Sequence, residues 1–175
     1  MPRTQKVEGF VLKKKTLLEK DLLVTIFTQE MGKLTVIAKG ARSITSRRAA
    51  HLQTGNLITA QLSEFNERFY IQSSELVSGF MQLRTEHKLN TLYLYLYIID
   101  KLLPEKVEEH ALYNVTKRFF IALSKEEEKP SLILQRSLQQ MLTQLGYIEG
   151  TYSLSALLET VENNIEEKLP RHVIM

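Results

Sequence analysis

The hydrophobic pattern changes period once along this chain, close to residue 80, and that change restricts the folds open to it. Before it, short runs rich in β-branched and aromatic residues alternate with turn signals. After it, leucines recur at three- and four-residue spacing. A strand period followed by a helix period calls for a small sheet structure with a helical part behind it.

The first part contains five strand-like runs. Val7 to Leu12 comes first and leads into Lys13-Lys14-Lys15. Leu22 to Thr28 and Leu34 to Lys39 flank Gln29-Glu30-Met31-Gly32-Lys33, where Gly32 can adopt positive φ, so they are expected to pair as a hairpin. Gly40 to Ala50 is polar, basic and without apolar periodicity, and reads as a loop. Asn56 to Leu62 and Arg68 to Gln72 follow, with a turn at Asn66. Five short strands over residues 1–80 suggest a barrel of the oligonucleotide-binding (OB) type.

The second part, residues 81–175, carries four amphipathic segments. Leu89, Leu92, Leu96, Ile99 and Leu103 share one face, and Pro104 should end that helix. Tyr93, Tyr95 and Tyr97 alternate with leucines as a strand would, but the flanking spacing favours helix. Leu112, Val115, Phe119 and Leu123 form the second face. Leu134, Leu138, Met141, Leu142 and Leu145 form the third, stopped by Gly146. Ser153 is placed to cap a fourth helix, carrying Leu154 to Ile165 and stopped at Pro170. No Pro/Gly/Ser-rich linker lies between the parts, which are therefore expected to dock. The class is α+β: an N-terminal five-stranded OB-fold barrel, then an all-α helical domain.

Chemistry is constrained mostly by what is missing. No cysteine occurs among the 175 residues, and His51, His87, His110 and His172 lie far apart, so no zinc site or other cofactor site is expected. The sequence has no Gly-rich phosphate loop, no Gly-x-Ser-x-Gly elbow and no His-Glu-x-x-His, which argues against an enzyme. Glu19 and Asp21 are close enough for a cation, though turn roles suit them better. The N-terminus does not read as a signal peptide and no run is long enough to span a membrane, so a cytoplasmic protein is expected.

The charge is uneven. Residues 1–80 hold 12 Lys+Arg against 7 Asp+Glu, whereas the remainder holds 11 against 13. The positive excess is concentrated from Lys33 to Arg48, where Lys33, Lys39, Arg42, Arg47 and Arg48 occur without an acid and with Ser43, Thr45 and Ser46 between them. Cations, hydroxyls and a glycine-opened backbone are the groups that contact phosphates. Phe10, Phe27, Phe65, Phe69 and Tyr70 are available for stacking on bases, less those the core consumes.

At these residues the sequence resembles the RecO family of bacterial recombination mediators. The likeness runs through Gly9-Phe10-Val11-Leu12, Glu19 to Leu34, Ala38-Lys39-Gly40-Ala41-Arg42, Ser46-Arg47-Arg48, Leu52-Gln53 and Glu75-Leu76. It continues more weakly through Tyr97 to Glu105 and Leu142 to Tyr147. The Thr-x-Glu-x-Gly-Lys turn followed by Ala-Lys-Gly-Ala-Arg is its most specific part. The resemblance implies an OB-fold DNA-binding domain at 1–80 and a helical domain at 81–175. It implies binding of single- and double-stranded DNA, annealing of complementary strands, and RecA loading together with RecR on strands coated by single-strand binding protein, whose acidic tail docks on RecO. It assigns DNA binding to Lys33, Lys39, Arg42, Arg47 and Arg48. Many members carry a four-cysteine zinc module after the Leu-Gly-Tyr motif. Here that module is expected to be absent and the helical domain shortened, which bears on docking of RecR and of the single-strand binding protein tail. The competing reading is an OB-fold scaffold serving as a protein-interaction or RNA-binding module.

Overall fold

The computed structural model describes residues 4–79, 83 and 85–170. Five strands, β1 (Thr4–Thr16), β2 (Leu22–Thr28), β3 (Gly32–Ala38), β4 (Leu57–Phe65) and β5 (Arg68–Ser78), close into a barrel in the order β1-β2-β3-β5-β4. All neighbours are antiparallel except β3 and β5, which run parallel through Val36↔Phe69 and Ile37↔Tyr70. That single parallel seam closing a five-stranded Greek-key barrel is the OB arrangement. A short helix α1 (Arg48–His51) lies between β3 and β4.

Strand β1 serves two partners. Thr4 to Phe10 pair with β4 and Gly9 to Thr16 with β2, and a register shift between Val11 and Lys13 follows the overlap. An extra residue bends a strand and increases its twist, which a small closed barrel needs. The Lys13-Lys14-Lys15 run therefore does not follow the strand but extends it, pairing with Thr25, Val24 and Leu23. The β2–β3 hairpin turns through Gly32 at φ +70°. The β4–β5 hairpin turns through Asn66 and Glu67, both at positive φ, which matches the right-handed twist of the flanking strands.

The barrel interior holds Val7, Val11, Leu22, Val24, Ile26, Leu34, Val36, Ala38, Ile58, Ala60, Leu62, Phe69 and Ile71, with Ala41 and Leu52 closing on it. Most of these alternate along their strands, as one inward face requires.

Four helices follow: α2 (Glu86–Leu102), α3 (His110–Ser124), α4 (Pro130–Gln144) and α5 (Leu154–Ile165). The Leu-Tyr-Leu-Tyr-Leu-Tyr run is helical. Tyr95 is fully buried, stacks on Phe119 with ring centroids 3.9 Å apart, and shares a hydrogen bond with Thr116 Oγ1 at 3.2 Å. Burial of such a ring contributes about 2–3 kcal/mol, and its hydroxyl needs the partner it finds. Ser153 caps α5 by accepting from Ala156 N–H. That helix ends at Ile165, earlier than Pro170, because Glu166 takes φ +56° and turns the chain out. Glu162 then accepts from Leu169 N–H and Lys168 Nζ, both at 3.0 Å.

The chain divides into two compact units. One comprises residues 1–82 with 103–109, the other 83–102 with 110–175. Segment 103–109 belongs with the barrel: Lys106 N–H donates to Lys33 O at 2.8 Å, and Thr35 Oγ1 donates to Glu105 Oε1 at 2.6 Å. No described helix is long and apolar enough to cross a membrane.

Candidate nucleic-acid interface

Of the five cations singled out by the sequence, Lys39, Arg42 and Arg47 are exposed, Arg48 is half-buried and Lys33 is buried. Strand alternation directs Thr35 and Ile37 outward along β3, while Leu34, Val36 and Ala38 fill the barrel, and Lys39 follows directly in the turn after the strand. Lys39 is exposed, and its ammonium lies 5.1 Å from the centre of the Tyr70 ring. A cation held over an aromatic face keeps its charge at the surface with little loss of hydration.

Arg48 reaches the same place from α1. Its guanidinium donates to Lys39 O at 3.0 Å and to Ile71 O at 3.2 Å, bracing the end of β3 against β5 just past their parallel seam. A guanidinium has five N–H donors, so two bonds to carbonyls do not exhaust it. Arg48 thus couples the barrel seam to the surface.

Arg42 is held by a different set of bonds. Gly40, at φ +61°, turns the chain so that its N–H donates to Asp21 Oδ1 at 2.7 Å, and Arg42 N–H donates to Lys20 O at 2.9 Å. The Arg42 guanidinium also donates to Glu19 O at 3.2 Å. The loop after β3 is therefore tied to the β1–β2 loop, and Glu19 and Asp21 serve this tie. Arg47 is exposed at the N-terminal edge of α1.

Lys33 is different again. Only 8% of it is exposed, and its backbone is held by the 103–109 segment through the Lys106 bond and a bridge to Glu105. A side chain so enclosed offers little to a phosphate.

Lys39, Arg48, Ser63, Phe65, Tyr70, Ile71 and Gln72 line a cleft of about 510 Å³, within the size range of ligand sites. No carboxylate is among these lining residues. Gln72 Nε2 donates to Ser63 Oγ at 2.6 Å across the β4–β5 ladder and fixes the floor. The aromatic residues now sort themselves. Phe10 and Phe27 are 1% and 0% exposed and Phe69 is in the barrel interior, so none of the three presents a ring to the surface. Phe65 is 63% exposed and Tyr70 half-buried, and both belong to the cleft.

Reading the sequence alone missed Ser63, Gln72 and Arg68. Arg68 faces Phe65 directly in the ladder and so stands on the same outer face. The signal for it was the alternation of β5, extended back to the turn. Among the described residues, no group of three or more His, Cys, Asp or Glu could hold a metal ion.

Residues 1–80 match the family described as "Recombination protein O N terminal". Curated relatives named "DNA repair protein RecO" include one from Caldanaerobacter subterraneus subsp. tengcongensis, 31% identical over 147 residues, covering 83% of this chain and 60% of that protein. Another, from Symbiobacterium thermophilum, is 28% identical over 142 residues, covering 81% of this chain and 56% of the relative. One from Alkaliphilus metalliredigens is 30% identical over 131 residues, covering 74% and 53%. The chain thus spans between 53% and 60% of the length of these relatives.

Proposed function

This chain belongs to the RecO family, and on that premise we propose that it is a non-enzymatic, cytoplasmic DNA-binding mediator of recombinational repair. It binds single- and double-stranded DNA through the barrel, at residues 1–80, anneals complementary strands, and works with RecR to load RecA where single-strand binding protein coats the strand. The helical part, 81–175, is the side on which protein partners such as RecR or the acidic tail of single-strand binding protein dock.

The observation that carries this reading is the cleft on the OB barrel, which joins two cations to two accessible rings and has no acid in its lining. Phosphate neutralisation supplies affinity, and stacking distinguishes bases from bare charge. Lys39, Arg42, Arg47 and Arg48 form the proposed DNA surface, with Lys33 outside it because of its burial.

The test is salt-dependent binding of labelled oligonucleotides by the wild type and by a Lys39→Ala/Arg42→Ala/Arg47→Ala variant. Arg48 is kept because its guanidinium braces the seam. The wild type should lose affinity steeply with salt. In the variant the slope on duplex should fall by roughly 0.9 for each phosphate that is no longer neutralised. Equal affinities and slopes would overturn the assigned surface. Strand annealing with and without single-strand binding protein then separates a mediator from a simple binder.

A further inference from the structure

The two most exposed large apolar side chains among the described residues are Ile44 and Leu18, at 103% and 90%, well above Phe65 at 63%. A single exposed aliphatic is ordinary on a protein surface. These two are set apart by where they stand. Leu18 lies in the loop between β1 and β2, which Leu17 N–H closes by donating to Asp21 O at 3.1 Å. Ile44 lies in the loop after β3, inside a turn closed by Ser46 N–H on Ser43 O at 2.9 Å. Three bonds join the loops: Arg42 N–H to Lys20 O, the Arg42 guanidinium to Glu19 O, and Gly40 N–H to Asp21 Oδ1. Each aliphatic is two residues from the Arg42–Lys20 bond, so no more than about 7 Å of backbone separates either from it. The tips are therefore carried on one braced unit rather than on two independent loops.

Charge decides what such tips can meet. Lys13, Lys14, Lys15 and Lys20, on the first loop and the arm leading to it, are all exposed, as are Arg42 and Arg47 on the second. The acids in the same segments are Glu19 and Asp21, and Asp21 already accepts from Gly40 N–H. The complementary surface is a polyanion with an apolar interior within reach of a short side chain. The stacked base pairs of duplex DNA are such a surface, and leucine and isoleucine are among the side chains that wedge between base steps. A bilayer offers similar chemistry. A wedge, however, must hold its place against the stack as it opens, and the bracing of the two loops supplies that.

We propose that Leu18 and Ile44 are a pair of apolar wedges that enter the base stack of duplex DNA at a weakened step, while the surrounding cations hold the phosphates on either side. The inference rests on the DNA-binding reading above and goes beyond it, because it gives the barrel an action on duplex as well as an affinity for it. Entry costs the unstacking of a step. A mismatch lowers that cost, so the site selects distorted duplex over perfect duplex. No ring is required, so this action is independent of Phe65 and Tyr70.

The test uses the full chain and two duplexes of equal length and charge, one fully paired and one with a central two-base mismatch, each with 2-aminopurine beside the centre. Wild type should bind the mismatched duplex about tenfold more tightly, a difference of about 1.4 kcal/mol. It should also raise the 2-aminopurine fluorescence as the base unstacks. Leu18→Ser/Ile44→Ser should bring the preference below about twofold and abolish the rise, while affinity for the perfect duplex changes by less than about twofold. Leu18→Met/Ile44→Leu, which keeps apolar bulk at both tips, should retain both signals. Both side chains lie outside the core, and a thermal melt of each variant confirms an intact barrel.

Wild type that binds neither duplex at low salt overturns the DNA-binding reading and this inference together. Wild type that binds both alike, with no rise in fluorescence, overturns this inference alone. So does a double serine variant that keeps the preference, or one that loses affinity for both duplexes equally. Vesicles of phosphatidylserine and phosphatidylcholine probe the other polyanion. Binding to them that the serine variant loses, with its mismatch preference unchanged, assigns the tips to a lipid surface and overturns the wedge.

Discussion

Substitution of Gly32 by alanine should be far more damaging than the same change at Gly40, and the difference measures how tightly segment 103–109 grips the barrel. Both glycines sit at positive φ, +70° and +61°. Either substitution therefore carries the left-handed backbone penalty of about 1–2 kcal/mol. At Gly40 an added Cβ meets nothing within 4 Å, so that penalty is the whole cost. At Gly32 the Cβ would lie 1.9 Å from Val107 O and 2.6 Å from Val107 C. Backbone cannot rotate aside as a side chain can, so the segment must lift from β3. The bonds Lys106 N–H to Lys33 O and Thr35 Oγ1 to Glu105 then loosen with it. At about 1 kcal/mol each, they bring the expected loss at Gly32 to about 3–4 kcal/mol. For a unit of roughly 90 residues the gap of about 2 kcal/mol corresponds to a melting difference of about 8–16 °C. Urea and thermal unfolding followed by circular dichroism read both variants. Gly32→Ala and Gly40→Ala agreeing within about 0.5 kcal/mol would refute the close approach as the cause.

Two further outcomes follow from the helical unit. Glu162→Ala should destabilise by about 1–3 kcal/mol in urea, because Leu169 N–H loses a buried acceptor. Glu162→Gln, which keeps a carbonyl there, should lose less, and equal losses would sink this account. Lys101 Nζ donates to Glu167 at 2.6 Å and Tyr97 hydroxyl donates to its other oxygen, and these bonds hold the Glu167 carboxyl below the usual carboxylate range. A carboxyl lowered on folding adds stability that is complete above its unfolded pKa and disappears as pH falls through the folded one. An NMR titration should therefore place the Glu167 midpoint below that of an ordinary glutamate, and Lys101→Met should raise it towards the usual range.

The helices were legible because each depends on its own spacing. Leu89 to Leu103 announces α2 despite the alternating tyrosines, since Leu92, Leu96 and Ile99 are buried as that spacing demands. The strands were legible as existing but not in length. Lys13 to Lys15 shows no inward alternation, because this part of β1 extends past the bulge as an outer arm of a hairpin. Helix α1 has four residues and none of them buried, so no apolar period could mark it. Lys33 looked like the start of a basic surface, and its enclosure is made by residues some 70 positions away. Local pattern cannot report such a distant cover. The sorting of the aromatic residues was hidden for a related reason: Phe65 and Phe69 differ only in the face that register assigns them. Once the ladder is known, one ring is core and the other is surface.

The path of the chain between units has a practical meaning for anyone dissecting it. It leaves the barrel unit after residue 82, supplies α2 to the helical unit, returns for 103–109, and departs again. Three crossings mean that no single cut gives two whole pieces. A fragment ending near residue 82 keeps all five strands but loses the backbone that encloses Gly32 and Lys33, and the complementary fragment carries that piece away without its seat. Properties measured on such fragments belong to a barrel with one wall opened, and the covalent order of the chain makes the two units heirs to each other's residues.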